Sequence, residues 1–484
     1  TTPTSRGRRR EESNKYGSSE DSSSSTDNAL KQAGRRRRQV VWRVGIAGSV
    51  DALWWGARYE PLVYEAPMAV STRGPQIPIF SLGAAIPPKP ADSFPFGVVF
   101  LLTAGVHRGF SLVARANRLR GIQIQFEERN LTEPAKGDVG RPAWEDSLMM
   151  RAARRQPCER TPVWLMRQAG RYMAEYRAVR AKTTFLELCK NPALSAEVMC
   201  TAVERLKVDA AIIFSDLLPI LEPMGFDLEF AAGEGPLIHN PVRSAGDVDR
   251  VCELEDVTPL GYVMETVTAT RAAVDERLPV IGFAGAPFTL ASYAVEGGAS
   301  RNYLHAKAMM LGDRGAWDAL LGKLARAVAR YLNAQIDAGA QIVQIFDSWV
   351  GCLGPDEYRR YVLPHSRAII EAIRPGTPVI HFATGNPALL PILREAGGDV
   401  IGIDWRMRLD DAWQAVGHDK AVQGNLDPAV LLTTPDEIRR QVQNILDQAG
   451  GRPGHIFNLG HGVHKETPVK NAIALVEAVK ELSV

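Results

Sequence analysis

Residues 162–177 read PVWLMRQAGRYMAEYR, and this stretch begins with the first of eight short apolar runs in the chain. An apolar run ends at Met166, and a polar segment that carries Arg167 and Arg171 follows at once. A short apolar run bounded by polar residues is typical of a buried strand in a parallel sheet. The stretch therefore predicts a strand that delivers an arginine-bearing loop to its carboxyl end.

Seven more apolar runs follow along the chain. They are AAIIF, PVIGFAG, QIVQIF, PVIHFA, VIGID, AVQGN and HIFNLG, and longer amphipathic stretches separate most of them. Regular alternation of this kind indicates βα repeats, and eight repeats in about 340 residues predict an α/β fold, a (β/α)8 TIM barrel. A doubly wound open sheet is the alternative, but its Gly-rich first turn is not found in RQAGR.

The first 143 residues have a different composition. RGRRR, SSEDSSSST and GRRRRQ fall within the first 40 residues, and such polar, repetitive sequence cannot bury enough apolar surface to fold. We expect a disordered or non-native leader over 1–143, without assigned function, and a catalytic domain over 144–484. Two other interpretations stay open. The basic clusters could bind RNA or an anionic membrane. Alternatively, the leader is translated upstream sequence or the edge of a fragment, because the chain begins with Thr1 and Met149 or Met150 would be a natural start.

The composition of the whole chain excludes several classes of protein. A net charge of +2 over 484 residues argues against a protein that coats nucleic acid through bulk charge. The 5 cysteines never form a C-x-x-C pair, which fits reduced thiols in the cytoplasm better than disulfides or a zinc knuckle. No apolar run reaches the roughly 18 residues that span a bilayer, so no membrane-spanning segment is expected. Neither a membrane nor a nucleic acid is expected as a partner of the catalytic domain.

Polar residues stand at the ends of the predicted strands. Active sites of (β/α)8 barrels lie at the carboxyl ends of the strands, so these positions form a candidate site. In chain order they are Arg167, Asp216, Gly285 with Ala286, Asp347 with Ser348, His381, Asp404, Asn425 and His461.

The arginines after the first strand indicate a polyanionic ligand. A guanidinium holds a carboxylate or phosphate through two hydrogen bonds and stays charged at neutral pH. Arg167, Arg171, Arg177 and Arg180 lie within 14 residues, and Gly170 permits close approach of the backbone. A solvated helix start is the alternative, although positive charge there opposes the helix dipole.

Three other strand-end residues suggest chemistry, each with a structural alternative. Asp216 is either a helix N-cap or a carboxylate that stabilises a cation in a low-dielectric cavity. Ser348 has no histidine at motif distance and is better suited to hydrogen-bond a ligand than to act as a nucleophile. His461 stands in a Gly-flanked loop, where a ligand contact competes with a structural histidine.

The sequence shows no pattern for a metal or nucleotide. No His/Cys cluster has zinc spacing, and neither a P-loop nor a dinucleotide fingerprint is found. The predicted reaction therefore uses no cofactor.

Several blocks resemble the uroporphyrinogen decarboxylase family. They are PVWLMRQAGRYMAEYRAVR, IIFSDLLPILEPMG, GFAGAPFTLASYAVEGG, QIFDSWVGCLGP, QGNLDP and FNLGHGV, which occur in the family's order from about Trp144 to the C-terminus. Ala174 departs from the family pattern, in which proline is common. The resemblance implies a homodimeric (β/α)8 enzyme of haem and chlorophyll synthesis. It would convert the four acetate side chains of uroporphyrinogen III to methyls, giving coproporphyrinogen III without a cofactor.

The resemblance also implies roles for individual residues. Asp216 and Arg167 would be catalytic, with Asp216 facing the pyrrole N–H groups, and the proton donor is left open between Arg167 and a water. The substrate-binding residues would be Arg167, Gln168, Ala169, Gly170, Arg171, Arg180, Phe185, Asp216, Tyr293, Ser348 and His461.

Two other functions are weighed against this one. A corrinoid-dependent methyltransferase of the same superfamily would need zinc held by His and Cys, and Ala383 stands where H-x-C would place the cysteine. A catalytically inactive barrel with a nucleic-acid- or membrane-binding leader is the second, and Arg167, Asp216, Tyr293 and His461 together argue against it.

Overall fold

The structure is a computed structural model that describes residues 142–231 and 235–484, together with the backbone of five short strands before them. The chain forms two units, residues 1–139 and 140–484. In the first unit Arg43–Ala47 pairs antiparallel with Tyr64–Glu65 and Gln123–Glu127, and Phe100–Ala104 pairs antiparallel with Phe110–Ala114. The expected disorder of residues 1–143 concerns mainly residues outside the described range and stays a prediction.

The second unit is built on a sheet of seven parallel strands that follow one another in chain order. The strands are β1 (Ala211–Ile212), β2 (Val280–Gly285), β3 (Ile342–Asp347), β4 (Val379–Ala383), β5 (Val400–Gly402), β6 (Ala421–Leu426) and β7 (His455–Leu459). Each coincides with one of the apolar runs in the sequence, so the strand prediction is confirmed.

An extended segment, residues 162–165, closes the sheet into a barrel. On one side Val163 forms a parallel bridge with Phe457 of β7, and the Trp164 amide donates to the Phe457 carbonyl at 3.3 Å. On the other side the Asp209 amide, just before β1, donates to the Val163 carbonyl at 2.8 Å. A sheet whose two edges meet through one segment has no free edge, and the (β/α)8 barrel is therefore confirmed over the open sheet.

Helices cover the outside of this barrel and connect its strands. The α-helices are Leu148–Ala153, Ala174–Arg180, Phe185–Cys189, Pro192–Leu206, Ala245–Asp249, Gly261–Ala273, Pro287–Glu296, Leu304–Gly312, Arg314–Asp337, Pro355–Tyr361, Leu363–Ala372, Leu390–Ala396, Leu409–Val416, Pro435–Ala449 and Val469–Leu482. Short 3-10 helices are Ala143–Asp146, Pro219–Met224, Thr258–Leu260, Val350–Cys352, Pro387–Leu389 and Pro428–Leu432. An antiparallel hairpin, Leu228–Ala231 with Gly235–Ile238, follows β1.

Local signals in the sequence explain where these helices begin and end. Pro435–Ala449 begins after Thr434, whose hydroxyl accepts from the Glu437 amide at 3.3 Å, and it ends at Gly450 with φ +63°. The side-chain cap satisfies a free amide of the first turn, and glycine accepts the left-handed backbone that stops a helix. Among the described residues, no helix combines the length and apolar character that crossing a membrane requires.

A hydrogen-bonded chain of side chains crosses the barrel interior. Trp164 Nε1 donates to Gln423 Oε1 at 3.0 Å, and Gln423 Nε2 donates to Gln344 Oε1 at 3.2 Å. All three residues are buried. A buried polar group costs free energy unless it is paired, so these hydrogen bonds hold the strands of Gln344 and Gln423 in place relative to residues 162–165. The loops at the carboxyl end of the barrel follow these strands.

Candidate active site

The loop after the first barrel segment begins with a strained backbone at Arg167. Its φ is +61°, in the left-handed region that side chains other than glycine rarely adopt. The neighbouring Met166 amide donates to Asn458 Oδ1 at 3.1 Å, and the Met166 carbonyl accepts from the Val463 amide at 3.0 Å. This pairing joins the loop to the one that follows β7, and the exposed side chain of Arg167 lies over Gly462.

The inner half of the same loop anchors it to the barrel. The Gln168 side chain is buried, and its Nε2 donates to the Ala210 carbonyl at 3.4 Å and lies 3.1 Å from Met199 Sδ. Tyr172 donates its hydroxyl to the Gln168 carbonyl at 2.6 Å. Ala169 is also buried, so any substrate contact from Gln168 or Ala169 would have to come from the backbone.

The arginines that follow divide into two kinds. Arg171 and Arg177 are both exposed, and Arg177 donates from Nη1 to the carbonyls of Arg171 (2.9 Å) and Tyr172 (3.0 Å). Arg180 donates to the Thr183 carbonyl, and its guanidinium carbon lies 5.8 Å from the centre of the Phe185 ring. Arg177, although exposed, therefore fixes the loop through hydrogen bonds, whereas no hydrogen bond from the side chain of Arg167 or Arg171 is found among the described residues.

Asp216 stands just beyond β1 and is half-buried. Its Oδ1 accepts from the Leu218 amide at 3.1 Å, a local contact that stabilises the turn before the 3-10 helix Pro219–Met224. Burial raises the pKa of Asp216, while the Leu218 amide and the charge of Arg167 act in the opposite direction. The helix N-cap alternative is not observed, because Leu218 itself occupies the N-cap position of that helix and has no side-chain cap, and the role of the carboxylate opposite a cation stays a prediction.

An aromatic wall lines the sector next to Asp216. The Phe185 ring lies 6.1 Å from the Phe214 ring and 5.0 Å from the Phe230 ring, measured between centres. Phe185 begins the helix Phe185–Cys189, which Thr184 and Glu187 cap reciprocally at 3.2 and 2.8 Å. The cap fixes Phe185 at the helix start, and Phe214 is two residues before Asp216 in the chain.

Tyr293 lies in the helix that follows β2, near enough for the charge of Asp216 to act on its phenol. The helix Pro287–Glu296 begins directly after the strand, and burial, followed by the charge of Asp216, raises the pKa of Tyr293. Its ring stacks on Trp349, with 3.8 Å between centres and 32° between planes. Ser348, half-buried, precedes Trp349 directly and lies in the same loop after β3.

His461 lies on the other side of Arg167, in the loop after β7. Burial lowers the pKa of His461 to about 4, and the charges of Arg167, His464 and Arg406 add to the effect. The imidazole is therefore neutral at physiological pH, able to donate one hydrogen bond and accept another. Its ring meets Trp405 edge-to-face, with 6.3 Å between centres.

Three other strand-end residues, Asp347, Asn425 and Asp404, are buried beneath the loops at the carboxyl end of the barrel. Asp347 is fully buried, its Oδ1 accepts from the Thr289 hydroxyl at 3.0 Å, and burial raises its pKa to about 7. Asn425 is buried and donates from Nδ2 to the carbonyls of Asp404 (2.9 Å) and Met407 (2.7 Å). Asp404 is buried as well.

His381 differs from the strand-end position read from the sequence. It lies within β4, paired with Ile345 of β3 and Ile401 of β5, and it is fully buried. Gly398 packs near its Cβ, which places the side chain toward the helix layer, and burial lowers its pKa to about 4. Ala383 ends the same strand.

A cavity of about 950 Å³ lies at the opposite end of the barrel. Its charges are largely paired with one another: Arg160 binds Asp209 through two hydrogen bonds of 2.8 and 2.6 Å, and Arg151 binds Glu159 at 2.8 Å. This end carries none of the strand-end residues named above. Among the described residues, no group of three or more His, Cys, Asp or Glu side chains is placed to hold a metal ion.

Three residues at the carboxyl end were not predicted from the sequence. Trp349 packs on Tyr293, Arg406 lies beside His461, and Gly462 provides the space for Arg167. All three follow a predicted strand within six residues, so position was the available signal. Their contacts join loops that are far apart in the chain, and position alone does not predict such contacts.

Comparison with known proteins identifies relatives of the second unit. A family model described as uroporphyrinogen decarboxylase (URO-D) matches residues 145–482. The chain is 55% identical over 339 residues to the uroporphyrinogen decarboxylase of Carboxydothermus hydrogenoformans, covering 70% of this chain and 97% of that protein. It is 54% identical over 334 residues to that of Sorangium cellulosum, covering 69% and 95%.

One solved structure supports the fold. A methyltransferase from Methanosarcina mazei superimposes with a TM-score of 0.57 at 20% identity, over 69% of this chain and 98% of that one. At this identity the likeness concerns the fold alone.

Proposed function

The chain belongs to the uroporphyrinogen decarboxylase family, and on that basis we propose that residues 144–484 form a carboxy-lyase domain acting at the carboxyl end of the barrel. The reaction is the decarboxylation of the four acetate side chains of uroporphyrinogen III to methyl groups. It yields coproporphyrinogen III and four CO2, a step in haem and chlorophyll synthesis.

One observation carries the assignment of the site. Arg167, Asp216, Tyr293 and His461 come from four different loops, yet the charge of Arg167 acts on the pKa of Asp216 and of His461, and the charge of Asp216 acts on that of Tyr293. We therefore infer that a carboxylate, a guanidinium, a phenol and a neutral imidazole form one site at this end of the barrel. This set suits a substrate with acidic side chains around a ring of N–H donors.

Asp216 is proposed to stabilise the cation that forms during the reaction. Loss of CO2 from an acetate on a pyrrole requires prior protonation of the ring, so that the electrons of the broken C–C bond have an acceptor. The Leu218 amide binds Oδ1 of Asp216, and the carboxylate is proposed to accept pyrrole N–H groups through Oδ2. Partial burial strengthens its attraction to the positive ring, since charges interact more strongly in a low dielectric.

Arg167 and Arg171 are proposed to bind the carboxylates of the substrate. Both are exposed, and the left-handed backbone at Arg167 directs its side chain across Gly462 toward the loop of His461. Gly170, whose added Cβ would lie 3.3 Å from the Arg167 carbonyl, keeps the turn between them tight. Arg180 beside Phe185, together with Tyr293, Ser348 and His461, would complete the contacts to the macrocycle.

The electron acceptor in this reaction is the protonated pyrrole itself, so the proposed chemistry needs neither metal nor organic cofactor. The corrinoid-dependent methyltransferase is the weaker candidate, since the likeness to a methyltransferase concerns the fold alone. Metal analysis of the purified protein separates the two, because stoichiometric zinc would contradict the cofactor-free reaction.

A homodimer in the cytoplasm is also proposed. Leu304 (67% exposed) and Leu311 (58% exposed) stand seven residues apart in the helix Leu304–Gly312, so they share one face. A second copy would remove this apolar surface from water. Sedimentation equilibrium of the purified protein tests the assembly, and a monomer at micromolar concentration would contradict it.

Anaerobic incubation with uroporphyrinogen III tests the function directly. Products are oxidised to porphyrins and separated by their number of carboxylates. We expect stepwise loss from eight carboxylates to four, with one CO2 released at each step. Protein that folds yet leaves the octacarboxylate unchanged would overturn the proposal.

A further inference from the structure

Arg406, in the loop that follows β5, is held in a fixed orientation. Its Nη1 donates to Asp404 Oδ2 at 2.5 Å, and its backbone amide donates to Asp404 Oδ1 at 3.0 Å. Asp404 is only 6% exposed, and its Oδ2 also accepts from the Gly385 amide at 2.7 Å. A carboxylate bound to two loops at once cannot easily rotate, so it orients the guanidinium that it pairs with.

The rest of the Arg406 side chain faces solvent over an aromatic ring. Its guanidinium carbon lies 4.1 Å from the centre of the Trp405 ring, a cation–π contact that holds the planar group flat. The side chain is 42% exposed, and within residues 142–231 and 235–484 its guanidinium hydrogen bonds run from Nη1 to Asp404. The Nε and Nη2 donors are therefore available to a ligand.

Arg406 and Arg167 lie on either side of His461. The Trp405 ring that supports Arg406 meets the imidazole edge-to-face at 6.3 Å between centres. The Arg167 side chain packs on Gly462, which is next to His461 in the chain. The loop after β7 thus has a guanidinium on each side.

We propose that Arg406 is a further substrate-binding residue, which holds a carboxylate of a pyrrole ring other than the one that reacts at Asp216. The inference rests on the proposed function. A substrate with eight carboxylates presents more anions than Arg167 and Arg171 can pair, and Arg406 is the oriented, solvent-facing guanidinium on the other side of His461. Because Nη1 is occupied by Asp404, the carboxylate binds through Nε and Nη2.

A purely structural role for Arg406 makes a different prediction. If it served only to neutralise Asp404, its loss would lower the melting temperature, because a buried carboxylate would be left unpaired. Turnover would then fall through loss of folded protein, and KM would stay unchanged. A binding role predicts instead a rise in KM.

The test compares Arg406→Gln, Arg406→Lys and the control Arg408→Gln. Arg408 lies in the same loop and is 59% exposed, but it pairs with Asp410 at 2.7 Å at the start of the next helix. Steady-state turnover of uroporphyrinogen III is measured anaerobically, together with thermal unfolding of each variant. We expect Arg406→Gln to raise KM about tenfold, equivalent to about 1.4 kcal/mol of binding, with a much smaller change in kcat.

The variants also have expected differences from one another. Arg406→Lys should raise KM less, because it keeps the charge and loses the fork geometry, and Arg408→Gln should match the wild type. An unchanged KM in Arg406→Gln, with or without a lower melting temperature, would overturn this inference and leave the proposed function intact. Wild-type protein that releases no CO2 would overturn the proposed function, and this inference with it.

Discussion

Gly462 packs directly against the Arg167 side chain, and Gly462→Ala should displace that side chain without changing any charge. A Cβ added at Gly462 would lie 2.7 Å from Arg167 Cγ and 2.9 Å from Nε, and it would also collide with Cδ. Non-bonded carbon atoms are most stable at about 3.5–4.0 Å, so the arginine must withdraw by about 1 Å. Gly462 does not adopt a left-handed backbone, so alanine itself is tolerated there.

The size of the effect follows from this displacement. Misplacing a catalytic group by about 1 Å costs on the order of 100-fold in rate, or about 2.7 kcal/mol of transition-state stabilisation. Arg167 is exposed, so its side chain can move into solvent and the fold should lose little free energy of unfolding. We therefore expect kcat/KM to fall about 100-fold with the melting temperature almost unchanged.

The assay measures coproporphyrinogen formation under anaerobic conditions, alongside a thermal unfolding curve. Gly261→Ala is the matched control, because an added Cβ there meets no atom within 4 Å and Gly261 has helical backbone angles of −51° and −35°. It should retain wild-type turnover. Wild-type kcat/KM in Gly462→Ala would refute the placement of Arg167, and a large fall in melting temperature would show that the backbone, not the arginine, absorbs the collision.

Three further perturbations have expected outcomes. Asp216→Ala should fold normally and lose on the order of 10²–10³ in kcat, measured as CO2 release, because an oriented group opposite the developing charge is removed; unimpaired coproporphyrinogen formation would exclude Asp216 from the mechanism. Deletion of residues 1–140 should leave turnover near the wild-type level, and a loss of folding would show that the domain boundary is wrong. Asp347 has a pKa of about 7 in the folded protein, above its unfolded value, so its contribution to stability is complete below about pH 4 and is lost as the pH rises toward 7. Asp347→Asn should therefore gain stability relative to wild type between pH 5 and pH 8, by up to about 4 kcal/mol in chemical unfolding, and a constant difference would contradict this.

The barrel was predictable because its signal is local and repeated. Each apolar run is long enough to define a strand, and β1 to β7 coincide with seven of them. The sequence predicts the apolar run at residues 162–166 as a strand like the other seven. In the structure it forms only one bridge, at Val163, with backbone hydrogen bonds on either side. An apolar run in the sequence indicates burial on both faces, not hydrogen bonding. This segment is buried but lacks the continuous backbone hydrogen bonds of a full strand.

The candidate site was predictable as a set of positions and less so as a set of roles. Asp216 and Asp404 both follow apolar strands, and nothing in their immediate sequence distinguishes them. In the structure Asp216 is half-buried in the field of Arg167, whereas Asp404 is buried and bound to Gly385 and Arg406. The difference arises from partners that are distant in the chain: Gly385 is 19 residues from Asp404, and Arg167 is 49 residues from Asp216. Which of these residues come together is decided by the packing of the loops.

Loop packing also explains why a rule of one functional residue per strand end is too simple. After β3 the buried Asp347 fixes Thr289, the Thr289 hydroxyl accepts from the Trp349 amide at 3.3 Å, and Trp349 stacks on Tyr293. After β5 the buried Asp404 fixes Arg406, whose guanidinium lies over Trp405 beside His461. In both cases a buried carboxylate at the carboxyl end of the strand orients the residue two positions later. If this arrangement is general at this end of the barrel, the residues that contact substrate are those just beyond the buried carboxylate, and Arg406 is the one whose role the KM of its variants can establish.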